Sequence, residues 1–177
     1  MVNMTTAAVD KSLNGLQDFG LEWLYELEGS VLYHKDVIVS RFGEAFWTEV
    51  IDRIDATTVF PRWLCELLLD DYIAYLLARV TLANRDESLV ANLLPDQAQH
   101  VLILYTKEWL ELCMDLAGEP IHHDPASESA LVNLEPATAK TLEIFCRHNI
   151  GHHPLLWQDH LRFPNGAVVI PTGIKAA

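Results

Sequence analysis

The residues best suited to chemistry in this chain of 177 residues are a group of histidines near its end, close to one cysteine and one acid. Imidazole, thiolate and carboxylate are ligands that zinc accepts, provided that they point at one position. A helix would have to bring His148 and His152 together, and Gly151 and Pro154 interrupt that helix. The sequence therefore predicts that this group forms no metal site and that its histidines are exposed or lie at an interface near a turn. The group consists of Cys146, His148, His152, His153, Asp159 and His160.

Adjacent acids are the other candidates for acid–base chemistry. Asp70 lies next to Asp71, and Asp52 lies near Asp55, but among 25 acidic residues such pairs are expected on solvated helix faces. The sequence contains no Gly-x-Ser-x-Gly or His-Glu-x-x-His motif, no Gly-rich phosphate loop and no dinucleotide-binding fingerprint. We therefore expect no catalytic residue, and no cofactor bound by this chain itself.

Charge is distributed unevenly along the chain. Residues 1 to 128 contain 22 acids and 8 Lys or Arg, whereas residues 129 to 177 contain 3 acids and 4 Lys or Arg. A surface this negative repels phosphate groups, which argues against nucleic acid as a partner. The charge either serves solubility alone or attracts a basic partner to the stretch between Lys107 and Lys140, which contains Glu108, Glu111, Asp115, Glu119, Asp124 and Glu128.

The hydropathy of the chain argues against a membrane location. Its longest apolar runs, such as residues 101–105, are far shorter than the ~20 residues that cross a bilayer. Residues 1–10 contain neither the basic nor the apolar region of a secretory signal. We expect a cytoplasmic protein in which Cys65, Cys113 and Cys146 are reduced residues of the core.

Helical periodicity dominates the first 120 residues. Residues 44–54 present one apolar face, and residues 62–83 are apolar on most of their surface, as is typical of the central helix of a bundle. A further helix is predicted over residues 96–116. With the segments near the start, this pattern predicts a mainly α fold, in which a bundle of five to six helices forms a body over residues 1–120.

The end of the chain follows a different pattern. A polar linker at residues 121–128 precedes a predicted small C-terminal α+β module, winged-helix-like, at residues 129–177. Its helix offers only Lys140 and Arg147, too few basic residues to bind DNA phosphates. The predicted order is a strand at Ala130–Leu134, a helix at Ala137–His148, a short helix at Pro154–His160, and strands at Leu161–Phe163 and Ala167–Ile170 joined by an Asn-Gly turn.

The run Leu131-Val-Asn-Leu-Glu-Pro-Ala-Thr-Ala-Lys-Thr-Leu-Glu-Ile144 resembles the strand-to-helix signature of peptide-recognition modules similar to the coenzyme PQQ peptide chaperone. A helical body with such a tail also resembles the small partner subunits of iron enzymes that modify cysteines in precursor peptides, of the methanobactin and thiaglutamate type. The resemblance implies that the leader of a precursor peptide adds as a strand to the small sheet. Iron, if any, would belong to a larger companion subunit that carries out the chemistry.

The predicted function is therefore recognition of a peptide or protein partner by a subunit without catalysis of its own. One alternative is a helical adaptor of a multiprotein machine, such as a type III secretion sorting platform, which would use apolar helix faces. Another is an acidic inhibitor or immunity-type protein, whose binding to a basic target would weaken with salt. The predicted partner-binding residues are Leu131, Val132, Leu134, Trp157, Phe163, Val168, Val169 and Ile170.

Overall fold

The computed structural model describes residues 22–82, 89–122 and 134–157. Within these ranges the chain forms six α-helices and two short 3₁₀ helices, without any strand. The mainly helical fold predicted from the sequence is confirmed for this part of the chain. The 3₁₀ helices span Glu22–Leu27 and Pro154–Trp157, and the α-helices are α1 (Lys35–Phe42), α2 (Glu44–Thr57), α3 (Arg62–Thr81), α4 (Leu93–Leu102), α5 (Thr106–Ala117) and α6 (Leu134–His148).

Helix α3 lies at the centre of the core, as its apolar surface predicted. Helices α2, α4, α5 and α6 all pack against it. The predicted apolar face of α2 is also confirmed, because each of its large apolar residues is buried. A face of that width is shielded from water only when it packs against other helices. These residues are Phe46, Trp47, Val50, Ile51 and Ile54.

The single helix predicted over residues 96–116 is wrong, since two helices, α4 and α5, occupy this segment. The chain turns at residues 103–105, where the amide of Leu104 donates to the carbonyl of Val101 and the amide of Tyr105 donates to the carbonyl of Leu102. Five consecutive apolar residues cannot all lie on one face of a continuous helix. Because the chain turns here, only Leu104 of these five residues is largely exposed. The sequence contains no Gly or Pro at this turn that would have predicted it.

The predicted C-terminal α+β module is not supported in the described residues. Leu134 is the first residue of α6 and not the end of a strand, since Pro136 suits the first turn of a helix. Phe145 and Trp157 belong to the same core as α3, so residues 138–157 are packed onto the helical body. The other residues predicted to form strands, at 130–133, 161–163 and 167–170, lie outside the described ranges.

The three cysteines are free thiols, as expected. Cys65 and Cys113 are buried in the core, but Cys146 lies on the exposed side of α6, which corrects its predicted burial. In the described ranges, none of the helices has the length and apolar composition that a membrane span requires.

Candidate functional site

Two adjacent carboxylates, those of Asp70 and Asp71, lie fully buried in the middle of α3. The prediction that such pairs occupy solvated helix faces is wrong for these two residues. A signal was present in the sequence, because a helix that is apolar on most of its surface leaves no solvated face for two consecutive acids. Buried charges of this kind need partners, and each of the two has several.

Asp70 binds the chain just before α1 begins. Its carboxylate accepts hydrogen bonds from the backbone amides of Tyr33 (2.9 Å) and His34 (2.7 Å). His34 occupies the N-cap position of α1 but makes no capping bond with its own side chain, so Asp70 satisfies these amides from another helix. Burial raises the pKa of Asp70, and the two backbone bonds offset this effect only in part.

Asp71 binds the segment that follows α6. Its carboxylate accepts the backbone amide of His153 (3.1 Å to each oxygen), the Nδ1–H of His153 (2.6 Å) and the indole Nε1–H of Trp157 (2.7 Å). The indole ring of Trp157 packs edge-on against Phe145 and is 2% exposed. Trp157, which the sequence predicts as a partner-binding residue, is thus packed within its own chain, where its side chain anchors the C-terminal 3₁₀ helix to the core.

His153 joins the two segments to each other. Its second ring nitrogen, Nε2, lies 2.9 Å from the carbonyl oxygen of Val31. A carbonyl and a carboxylate only accept, so this geometry favours a ring that donates through both nitrogens, and the pKa of His153 is raised by the hydrogen bond and charge of Asp71 against the effect of burial. Its burial contradicts the prediction of an exposed histidine. No local pattern could have shown this, because Asp71 and Val31 are 82 and 122 residues away in the chain.

Asp70, Asp71 and His153 together form what we call the latch. It ties residues 31–34 and residues 151–157 to α3 and to each other. His34 adds a further bond between the two segments, since its Nε2–H donates to the carbonyl oxygen of Gly151 (2.7 Å). The latch therefore fixes the chain both before α1 and after α6.

The latch is also the one group in the described ranges whose ligand atoms lie close enough to hold a metal, within 4.8 Å of one another. Each of these atoms is already engaged. Asp70 accepts two amides, Asp71 accepts three donors, and each ring nitrogen of His153 lies within hydrogen-bond distance of an acceptor. A metal would have to displace this complete set of hydrogen bonds, so the arrangement favours ion pairing over metal coordination.

We expect neither EDTA nor Zn²⁺ to change the melting temperature of the protein. A metal at 100 times its Kd would stabilise the folded state by about 2.7 kcal/mol, which calorimetry detects easily. Differential scanning calorimetry with and without each reagent provides the measurement. A saturable rise in melting temperature at one equivalent of Zn²⁺ would show that the latch atoms coordinate metal.

The remaining histidines of the predicted cluster do not converge. His152 has its Nδ1 3.0 Å from the carbonyl oxygen of Ile150 and packs on Phe145, whereas the Nε2 of His148 has no hydrogen-bond partner in the described structure. They form no further ligand group with Cys146 within the described ranges. Asp159 and His160 lie outside these ranges.

A second feature is the outer side of α5. Its inner side buries Trp109, Leu112 and Cys113, yet two further apolar residues lie one helical turn apart on the outside. Leu110 is 47% exposed and Met114 is 51% exposed. We call these two residues the α5 stripe; Leu104, in the turn before α5, is also exposed, at 57%.

Acidic residues flank the α5 stripe. Arg41 of α1 forms ion pairs with Asp115 and with Glu111 (3.8 Å), and Lys107 lies 3.9 Å from Glu111. Glu108 and Glu119 add two more carboxylates, so acids outnumber bases around α5. Beside these ion pairs, a groove of about 540 Å³ lies between α1 and α5, and it is lined by Val37, Ser40, Arg41, Leu112, Asp115 and Leu116.

Most of the residues predicted to bind a partner lie outside the described ranges. Leu134 starts α6, and nothing is described of its side chain. The role of the remaining residues stays a prediction: Leu131, Val132, Phe163, Val168, Val169 and Ile170.

Comparison with known proteins assigns no family to the chain. No family model, no curated protein and no solved structure matches it. Function is therefore argued from the latch and the α5 stripe.

Proposed function

We propose that this protein is a non-catalytic partner protein that binds a segment of another protein on the outer side of α5. The observation that carries the proposal is the α5 stripe, in which large apolar side chains face solvent on a helix whose inner side is already packed. Covering such side chains is favourable, at about 25 cal/mol per Å² of apolar surface. An amphipathic segment laid along a helix achieves this.

The charge around the stripe supports a partner with basic residues. Glu108, Glu111 and Asp115 lie on α5 and Glu119 follows it, while Arg41 and Lys107 form ion pairs with two of these acids, Glu111 and Asp115. Opposite charge steers association and orients the partner, whereas apolar contacts supply most of the affinity. An exposed apolar helix face is what the adaptor hypothesis requires. The acidic residues near it are a feature that the inhibitor hypothesis also expects.

We also propose that the protein has no catalytic activity of its own. In support of it, the latch, the group of candidate metal ligands found in the described ranges, is buried and uses its donors and acceptors to bind other parts of the chain. A group that acts as a general acid or base must reach a substrate proton. These side chains instead hold backbone segments in place.

The narrower version, in which the protein presents a precursor peptide to a separate iron enzyme, depends on residues 129–173. It requires an unpaired strand edge, to which a leader peptide adds through main-chain hydrogen bonds. The predicted strands among them, at 130–133, 161–163 and 167–170, lie outside the described ranges, so this version remains a prediction. It differs from the broader proposal in the surface used, which makes the two separable by substitution.

We expect Leu110→Glu with Met114→Glu to reduce partner binding at least about tenfold, because two charges would enter an apolar contact. The measurement is a pull-down of the full-length chain from its native host with quantitative mass spectrometry, repeated with the purified partner to obtain the Kd. Val31→Glu is the matched control, since Val31 is 68% exposed but precedes α1.

Three outcomes separate the hypotheses. Loss of the same partner in the α5 variant alone supports the proposal. Loss in a Val169→Glu variant of the full chain, with the α5 variant unaffected, overturns it in favour of recognition by the C-terminal residues. Binding that is abolished by about 0.5 M salt, with both variants unaffected, favours the acidic inhibitor.

A further inference from the structure

We propose that the latch is a protonation-dependent switch, in which the imidazolium of His153 holds residues 31–34 and the loss of its proton releases the carbonyl group of Val31. This inference concerns the latch and not the α5 stripe, and it does not depend on the proposed function. It rests on two acceptors on either side of one imidazole ring: the carboxylate of Asp71 and the carbonyl oxygen of Val31.

A neutral imidazole has one N–H donor, whereas this site requires two. After deprotonation, one ring nitrogen presents a lone pair to an acceptor. The bond to Asp71 is shorter and involves a carboxylate, so the remaining proton stays on Nδ1. The lone pair of Nε2 then faces the carbonyl oxygen of Val31 at 2.9 Å, which is repulsive. The bond that breaks is therefore the bond to residues 31–34.

The charged groups around the ring favour the proton. Asp71 and Asp70 both act on it from α3, while Tyr33 and His34 face it from the segment before α1. Burial by itself lowers the pKa of His153, but the hydrogen bond and the charge of Asp71, with the bond to Val31, outweigh burial and raise the pKa. His152, the next titratable residue on the same loop, has its Nδ1 at the carbonyl of Ile150 and not at the latch.

The direction of the pH effect follows from this balance. The folded protein binds the proton more tightly than the unfolded chain does. The stabilisation is complete below about pH 6.5, the usual pKa of histidine, and declines as the pH rises through the raised pKa of His153. Alkaline conditions thus open the latch, and acidic conditions close it.

Opening the latch changes a surface. Residues 31–34 carry two of the most exposed apolar side chains in the described ranges, Val31 and Tyr33. Tyr33 packs on the ring of His153, with ring centres 5.3 Å apart, and on Gly151. The protonation state of one buried histidine therefore controls how these two side chains are held.

Nitrogen-15 NMR of the full-length protein tests the proton directly. We expect both ring nitrogens of His153 to be protonated at pH 6, and its titration midpoint to lie above the usual histidine value of about 6.5. Resonances of a neutral ring at pH 6 would overturn the proposal. This measurement uses the unmodified protein and does not depend on the folding of any variant.

Hydrogen exchange tests the release. After correction for intrinsic exchange rates, we expect the amides of Tyr33 and His34 to open at least about fivefold more at pH 9 than at pH 6, as the loss of one hydrogen bond implies. His153→Gln should remove this pH dependence, and His152→Gln should retain it. Equal pH dependence in His153→Gln and in the unmodified protein would overturn the switch, and so would protection of both amides that does not change between pH 6 and pH 9.

Discussion

Replacing Asp71 with alanine is expected to destabilise the protein by about 3–5 kcal/mol, the cost of removing one partner of a buried ion pair. The carboxylate accepts hydrogen bonds from His153 and Trp157, and both of these side chains are buried. Removing it leaves the Nδ1 of His153 and the indole N–H of Trp157 without their acceptor, and only the more distant Asp70 remains as a negative charge near the ring. Since small domains are stable by only about 5–15 kcal/mol, this is a large fraction of the total.

Urea denaturation followed by circular dichroism measures the effect, and Asp52→Ala provides the control. Asp52 is paired with Arg62, but its side chain is 59% exposed, so the loss of that pair should cost about 0–1 kcal/mol. In a double-mutant cycle, Asp71→Ala with His153→Ala should cost less than the sum of the two single substitutions. Equal costs for Asp71→Ala and Asp52→Ala would show that the latch contributes nothing special to stability.

Replacing Gly151 with alanine is expected to cost about 1–3 kcal/mol, as overpacking a filled site does. A Cβ atom at this position would lie 2.5 Å from Cγ, 2.7 Å from Cδ1 and 2.8 Å from Cβ of Tyr33. These atoms are the base of the Tyr33 side chain and not its mobile end, so the backbone of the segment must move. That movement also disturbs the bond between His34 and the carbonyl of Gly151.

A second substitution separates crowding from any other effect of the alanine. Tyr33→Gly removes all three atoms that the new Cβ would meet, so Gly151→Ala should cost less than about 1 kcal/mol in that background. Both free energies of unfolding come from urea titrations of the four variants in the cycle. If Gly151→Ala costs the same with and without the tyrosine ring, the close approach of these two residues is not the reason for the glycine.

Sequence periodicity predicted the helical body because helix formation depends on neighbours three and four residues apart. The buried face of α2 and the central position of α3 are examples that the structure confirms. The turn between α4 and α5 was missed, since it follows from how five apolar residues fit the core and not from a local Gly or Pro. The turn after α6 was expected. In the structure Asn149, and not Gly151, has the positive φ angle, and Gly151 instead allows the close approach of Tyr33.

The sequence by itself determined that the body is helical, which face of α2 is apolar, that α3 is central and how acidic the protein is. Only the tertiary structure decided that Asp70, Asp71 and His153 are buried together and which backbone groups they hold. The reason is physical: these partners are 36 to 122 residues apart, and a hydrogen bond between them carries no local periodicity. Two acids in the middle of an apolar helix indicated that partners were required, but packing alone selected them.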